Sequence, residues 1–202
     1  MTEAVEIEAP GPVVLRGEAR AAGDAWIVLV HALGRDLDVW NALVEVLDDS
    51  LSVLAADLRG HGGSDGLRDD ARAGDDVAAM LAYARGRGAK LLVAVGAGDV
   101  ASAVLAAGDR FEADAVILLG PTGDLGDVGT VPRFVVAAAE DPEQVVAADL
   151  LQHAVGWSLI ANVPTAEKGT ELLAGSWATN VHAYVTSFLR DVRRHHAATL
   201  SQ

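Results

Sequence analysis

The chain has 202 residues, 51% of them hydrophobic and 22% charged, which suits one sizeable core and a single domain over residues 1–202. A formal net charge of −14 argues against nucleic-acid phosphates and anionic membrane surfaces as partners; it reads as a solvating surface, or alternatively as a docking face for a basic protein. There is no cysteine, which excludes disulfides and thiolate metal sites, and no run of about 18 apolar residues suggests a membrane span.

The N-terminal MTEAVEIEAPGP is acidic and lacks a basic stretch followed by an apolar one. No signal peptide is read there, and a cytoplasmic location is expected. Val13–Arg20 reads as a strand. Trp26–His31 (WIVLVH) is continuously apolar, as a strand buried on both faces should be. Val39–Leu47 has helical spacing, with Trp40, Leu43, Val44 and Leu47 on one face. Leu51–Ala56 is a further strand, closed by the turn-rich DLRGHGGSDG. Asp70–Arg87 is helical, with Gly88 where a C-terminal glycine cap belongs. Lys90–Val95 is a strand that enters a helix, Asp99–Ala107, through the turn G-A-G-D. Ala113–Leu119 and Arg133–Ala138 are strands, Pro142–His153 a helix, Trp157–Ala161 a strand and Ser176–Arg193 a final helix. This alternation predicts an α/β fold with a mostly parallel, doubly wound sheet and helices on both faces. In such sheets ligands bind beyond the carboxyl ends of the strands, here the loops after His31, Val95, Leu119, Ala138 and Ala161.

Several of those loops carry a resemblance. VLVHALGRDLDVW (28–40) resembles the His-Gly loop of α/β-hydrolases, DLRGHGGSDG (57–66) their D-x-x-G-H-G-x-S turn, and VGAGDVAS (95–102) falls where their G-x-S-x-G nucleophile elbow should be. VVAAAEDPE (135–143) is similar to the strand and loop that carry the acid, and AEKGTELL (166–173) to the A-x-H-G-T loop that carries the histidine. The resemblance spans about residues 12–192 and implies the α/β-hydrolase fold. Only about a dozen residues separate Leu119 from the next strand, so no cap domain is expected and the cleft should be open.

The departures matter as much as the matches. The nucleophile position holds Gly98 and the histidine position Lys168; only the acid, Asp141, matches. The His-Gly pair has become His31–Ala32, in the loop that supplies one oxyanion donor in the family. The resemblance therefore implies a serine-esterase-like protein with an incomplete triad. Asp141, Asp99 and Lys168 are the candidate catalytic groups of this degenerate region. His31, Ala32, Leu33, Gly98 and Asp99 are candidate ligand contacts. One reading is a non-catalytic small-ligand binder or interaction module. Another shifts the elbow by one residue and uses Asp99 as the nucleophile on an ester-like, halide or epoxide substrate. A third, with Ser64 as nucleophile, fails on position, since Ser64 belongs to the GHG turn. Lys168 and Asp141 are expected to form an ion pair, and Gly98 to adopt positive φ.

The remaining histidines suggest no metal site. His61 belongs to the GHG turn, His153 and His182 are helical, and His195 and His196 end a helix beside Arg193 and Arg194, where positive charge is favoured. No G-x-G-x-x-G follows a strand, so no dinucleotide or other cofactor is expected. A small molecule in the open cleft is the expected partner. Oligomeric state is not legible in the sequence.

Overall fold

The structure, a computed structural model, describes residues 2–199. Its strands are β1 (Thr2–Ala9), β2 (Val13–Arg20), β3 (Ala25–Val30), β4 (Ser52–Ala56), β5 (Leu91–Ala97), β6 (Ala115–Leu119), β7 (Arg133–Ala138) and β8 (Ser158–Val163). The helices are α1 (Asn41–Val44), α2 (Ala73–Gly86), α3 (Ala101–Arg110), α4 (Pro142–His153) and α5 (Ala178–Thr199). All eight strands form one sheet in the order β1-β2-β4-β3-β5-β6-β7-β8. β2 runs antiparallel to both β1 and β4, and every pairing from β4 to β8 is parallel.

Every residue of β3, β4, β5, β6 and β7 is buried, which explains their largely apolar sequences, interrupted by Ser52 at the start of β4 and Arg133 at the start of β7. Alternate residues face opposite layers. Trp26, Val28 and Val30 pack with Val77, Met80 and Leu81 of α2, Val104 of α3 and Leu151 of α4. Ile27 and Leu29 pack with Leu43 of α1 and with Val181, Val185, Phe188 and Leu189 of α5. The result is the doubly wound sheet that the sequence predicts.

The elements differ from expectation in several places. β1 was not predicted, although Val5, Ile7 and Ala9 are buried and alternate with exposed glutamates. The segment expected as one helix over 39–47 is a 3-10 turn, Leu37–Trp40, followed by the single turn of α1. The turn is started by the Asp36 carboxylate, which accepts from Asp38 N–H at 3.2 Å. β5 continues past Val95 through Gly96 and Ala97, and α5 runs on to Thr199. Residues 120–132 contain neither helix nor strand; Leu125 and Val131 are buried and tie that loop to the core. Among the described residues, no helix is long and apolar enough to cross a membrane.

Candidate functional site

β5 delivers the chain to Gly98, whose φ is +64°, and a 3-10 turn then leads into α3. This is the left-handed conformation expected of the elbow, and glycine holds it without the penalty that a side chain would incur. There is room beyond it: a Cβ built on Gly98 would meet only Ala32 Cβ, at 3.4 Å. Two neighbouring loops close on the same point. Thr122 N–H donates to Gly98 C=O at 3.2 Å, and a Cβ on Gly169 would lie 3.5 Å from Gly98 N.

The loop after β3 is held by a reciprocal clasp with the turn at 57–66. Leu58 N–H donates to His31 Nε2 and Gly34 N–H donates to His61 Nε2, each at 2.9 Å. Leu37 N–H donates to Asp57 Oδ1 at 2.8 Å, and Gly63 N–H to Asp57 Oδ2 at 2.8 Å. The other ring nitrogens face backbone carbonyls: His31 Nδ1 lies 2.9 Å from Ala32 O and His61 Nδ1 2.9 Å from Arg59 O. Each ring therefore accepts at Nε2 and donates at Nδ1, which is the neutral tautomer. Ser64 is consumed in the same turn, its Oγ donating to Asp57 C=O at 2.6 Å and accepting from Arg16 N–H at 2.8 Å.

His31 was expected to contact a ligand. Its side chain is 0% exposed and both nitrogens are occupied, so it positions the loop rather than touching anything bound there. Ala32 and Leu33 are half-buried beside the elbow. Leu33 N–H donates to Asp99 Oδ1 at 2.9 Å. Asp99 is exposed and stands one residue past the positive-φ position, so it is not at the apex of the turn.

Burial lowers the His31 pKa, an effect that outweighs the hydrogen bond to Ala32. A histidine kept neutral by the fold favours the native state above its unfolded pKa of about 6.5, and that contribution is lost as pH falls. Stability should therefore decline from pH 7.5 towards pH 5, with this group contributing at most about 1.4 kcal/mol per pH unit. Thermal unfolding across that range should show a shallower pH dependence for His31→Gln. Equal slopes for both proteins would show that His31 does not carry the effect.

Asp141 and Lys168 meet as expected. Asp141 Oδ2 lies 3.4 Å from Lys168 Nζ, the carboxylate being buried and the lysine side chain 64% exposed. Asp141 also caps α4: its Oδ1 accepts from Glu143 N–H at 3.0 Å and Gln144 N–H at 3.1 Å. The bond from Gln144 N–H, followed by Lys168, holds its pKa below the ordinary aspartate value against the opposing effect of burial. Lys168 N–H donates to Glu171 Oε2 at 3.0 Å, and Glu171 pairs with Arg35 at 3.4 Å across the cleft mouth.

Two positioning contacts carry no motif. Gln144, 0% exposed, accepts from Ala138 N–H at 2.8 Å and donates to Glu167 C=O at 2.9 Å, joining the acid loop to the lysine loop. Arg59 and Asp76 form a buried pair: Arg59 Nε bonds both carboxylate oxygens at 3.0 Å, and Arg59 N–H donates to Asp76 Oδ2 at 2.9 Å. This pair anchors the 57–66 turn to α2. No local pattern marks either: Gln144 follows Pro142 and Glu143, Arg59 lies in the glycine-rich turn, and Asp76 follows Asp75. Among the described residues, no three histidine or carboxylate side chains converge as a metal site would require. Chemically, the cleft offers carboxylates and an ammonium but no hydroxyl at the apex of its elbow.

The family pattern for the alpha/beta hydrolase fold matches residues 25–165. No curated protein sequence matches the chain. Among solved structures, an esterase from Pyrococcus furiosus superposes with a TM-score of 0.76 at 15% identity, covering 95% of this chain and 92% of its own. A thermophilic esterase from Thermogutta terrifontis gives 0.72 at 17% identity, covering 94% and 99%. A serine hydrolase without a lid, from Xanthomonas campestris, gives 0.71 at 17% identity, covering 96% and 94%. At those identities the likeness is one of fold; the Xanthomonas protein is described as lacking a lid, and here residues 120–132 form a loop without helix or strand. With the family pattern spanning most of the chain and the sheet, elbow and clasp in their places, this protein belongs to the α/β-hydrolase fold family.

Proposed function

We propose that this protein is a non-hydrolytic member of its family, its cleft kept for binding a small ligand rather than turning one over. The observation that carries this reading is the bond from Leu33 N–H to Asp99 Oδ1, 2.9 Å long. In the family's mechanism the loop after β3 supplies a donor to the oxyanion that develops on the substrate. Here that donor is taken by the protein's own carboxylate. Gly98 supplies no nucleophile, and Lys168, paired with Asp141, cannot accept a proton while it carries its charge. The reading with Asp99 as nucleophile is disfavoured by the same geometry, because the carboxylate is bound to Leu33 and lies beyond the apex of the turn.

Hydrolysis of p-nitrophenyl acetate and butyrate should not exceed that of the denatured protein, and a fluorophosphonate probe should not label it. Stoichiometric labelling, or turnover above the denatured control, would overturn the proposal. Native mass spectrometry of the freshly purified protein would show a retained small molecule as a discrete added mass.

A further inference from the structure

A groove lies at the opposite edge of the sheet from the elbow, by the amino-terminal ends of the parallel strands. Its floor is apolar: Leu47 and Leu51, ahead of β4, and Leu189 of α5 are all buried. It measures about 620 Å³, within the range of about 300–1,000 Å³ typical of small-molecule sites. Its rim is cationic, formed by Arg190, Arg193 and Arg194. We propose that this groove binds an amphipathic monoanion, a carboxylate carried on an alkyl body, at a site separate from the elbow cleft.

The charge of the rim runs against that of the chain. The protein has 29 acidic residues against 15 lysines and arginines, yet three of those 15 fall within five positions of one helix. Spacings of three and four residues put Arg190, Arg193 and Arg194 on one face of α5. The helix dipole does not account for them, because its attraction for cations is confined to the last turn. α5 continues to Thr199, and that turn holds His196 and none of the three arginines.

Internal partners leave part of this charge unmet. Arg193 Nη1 donates to Ser50 Oγ at 3.1 Å and lies 3.9 Å from Asp48 Oδ2, on the facing wall. Asp48 Oδ1 is itself engaged by Ser50, accepting from its N–H at 2.8 Å and its hydroxyl at 2.6 Å. Arg194 pairs with Asp191 at 2.9 Å, and both side chains are largely exposed, so the pair is a weak one. Arg190 is exposed and has no hydrogen bond or ion pair among the described residues. Three guanidinium groups against the two carboxylates Asp48 and Asp191 thus leave one positive charge unmatched, at Arg190. One excess charge suits a monoanion. A guanidinium fork matches a carboxylate in two parallel bonds, and the leucines beneath suit an alkyl chain rather than a hydrated inorganic ion.

Isothermal titration calorimetry on the intact protein separates head from body with octanoate, 1-octanol, octylammonium and inorganic phosphate. Octanoate should bind saturably at one site. Octanol and phosphate should each bind about tenfold more weakly or not at all, the scale of losing a charge-assisted hydrogen bond or the apolar contact, and octylammonium should not bind. Arg190→Glu should abolish octanoate binding without altering the fold seen by circular dichroism, since the position is exposed. Arg110→Glu, at an exposed position of α3, makes the same change in net charge and should leave binding unchanged. Octanol bound as tightly as octanoate would overturn the anionic head, and phosphate bound as tightly would overturn the alkyl body. Absence of saturation, or octanoate bound equally by Arg190→Glu, would overturn the site. Equal losses in Arg190→Glu and Arg110→Glu would overturn it too, by tracing the effect to overall charge.

Discussion

Asp76→Ala should destabilise the protein by about 3–5 kcal/mol, the cost of leaving a buried charge without its partner. Asp76 is 0% exposed and Arg59 4%, and four short contacts join them. Apart from Asp76, the contact made by the Arg59 side chain is a long one, 3.3 Å from Nη2 to Pro10 C=O, too little to hold a guanidinium out of water. The damage should extend to the cleft, because Arg59 belongs to the turn whose Leu58 N–H and His61 ring hold the loop after β3. Urea unfolding measures the loss. The double variant Arg59→Met with Asp76→Leu separates the two causes, since removing both charges should recover much of the stability. A single variant within about 1 kcal/mol of the natural protein would mean that water reaches the guanidinium.

Gly98→Ser alone should remain inactive, while the triple change Gly98→Ser, Lys168→His and Asp99→Ala should hydrolyse p-nitrophenyl acetate. Removing one member of a catalytic triad costs up to about 10⁶ in kcat, so a serine without a base gains little. Space is not the obstacle, since a Cβ at Gly98 meets one methyl group at ordinary contact distance. A serine held at φ near +64° pays roughly 1–3 kcal/mol of backbone strain, which the fold must carry. Asp99 is the other barrier. At about 5 Å and an effective dielectric near 20, its charge would oppose an oxyanion by roughly 3 kcal/mol. Its removal frees Leu33 N–H and should raise the rate of the double variant about a hundredfold. Turnover by Gly98→Ser alone would mean that Lys168 serves as a base. A triple variant that stays at background would mean that the acid, Asp141, is too firmly engaged in its cap to orient a histidine.

The parts of the fold legible in the sequence are those set by local pattern. β3 and β5–β7 declare themselves because both of their faces are buried, so burial and apolarity coincide along them, with Arg133 at the start of β7 the exception. β1 hides for the opposite reason: Glu3, Glu6 and Glu8 face water and give its sequence the character of an acidic tail. In the site, the positive φ of Gly98 and the Lys168–Asp141 pair follow from alignment to a known turn and loop. The bond from Leu33 to Asp99 does not, because it depends on where the β3 loop comes to rest, which is decided by contacts with a turn far along the chain. The positioning role of His31 is hidden from the sequence on the same ground. A histidine after a strand suggests a ligand contact until Leu58 N–H is seen to occupy it.

On the non-hydrolytic reading proposed above, the double engagement of Asp141 bears on how a cleft of this kind would lose its chemistry over time. As the N-cap of α4, its carboxylate holds two backbone N–H groups, and replacing it by alanine costs about 1 kcal/mol whether or not any reaction occurs. The histidine position makes no such demand, since the residue there is largely exposed. The nucleophile position is relieved of strain when serine gives way to glycine. In a lineage released from selection for turnover, the three positions therefore decay in order. Nucleophile and base are free to drift, while the acid is retained by the folding of the helix that it starts. A surviving aspartate at this position is thus a record of architecture, and carries no information about whether the enzyme still works.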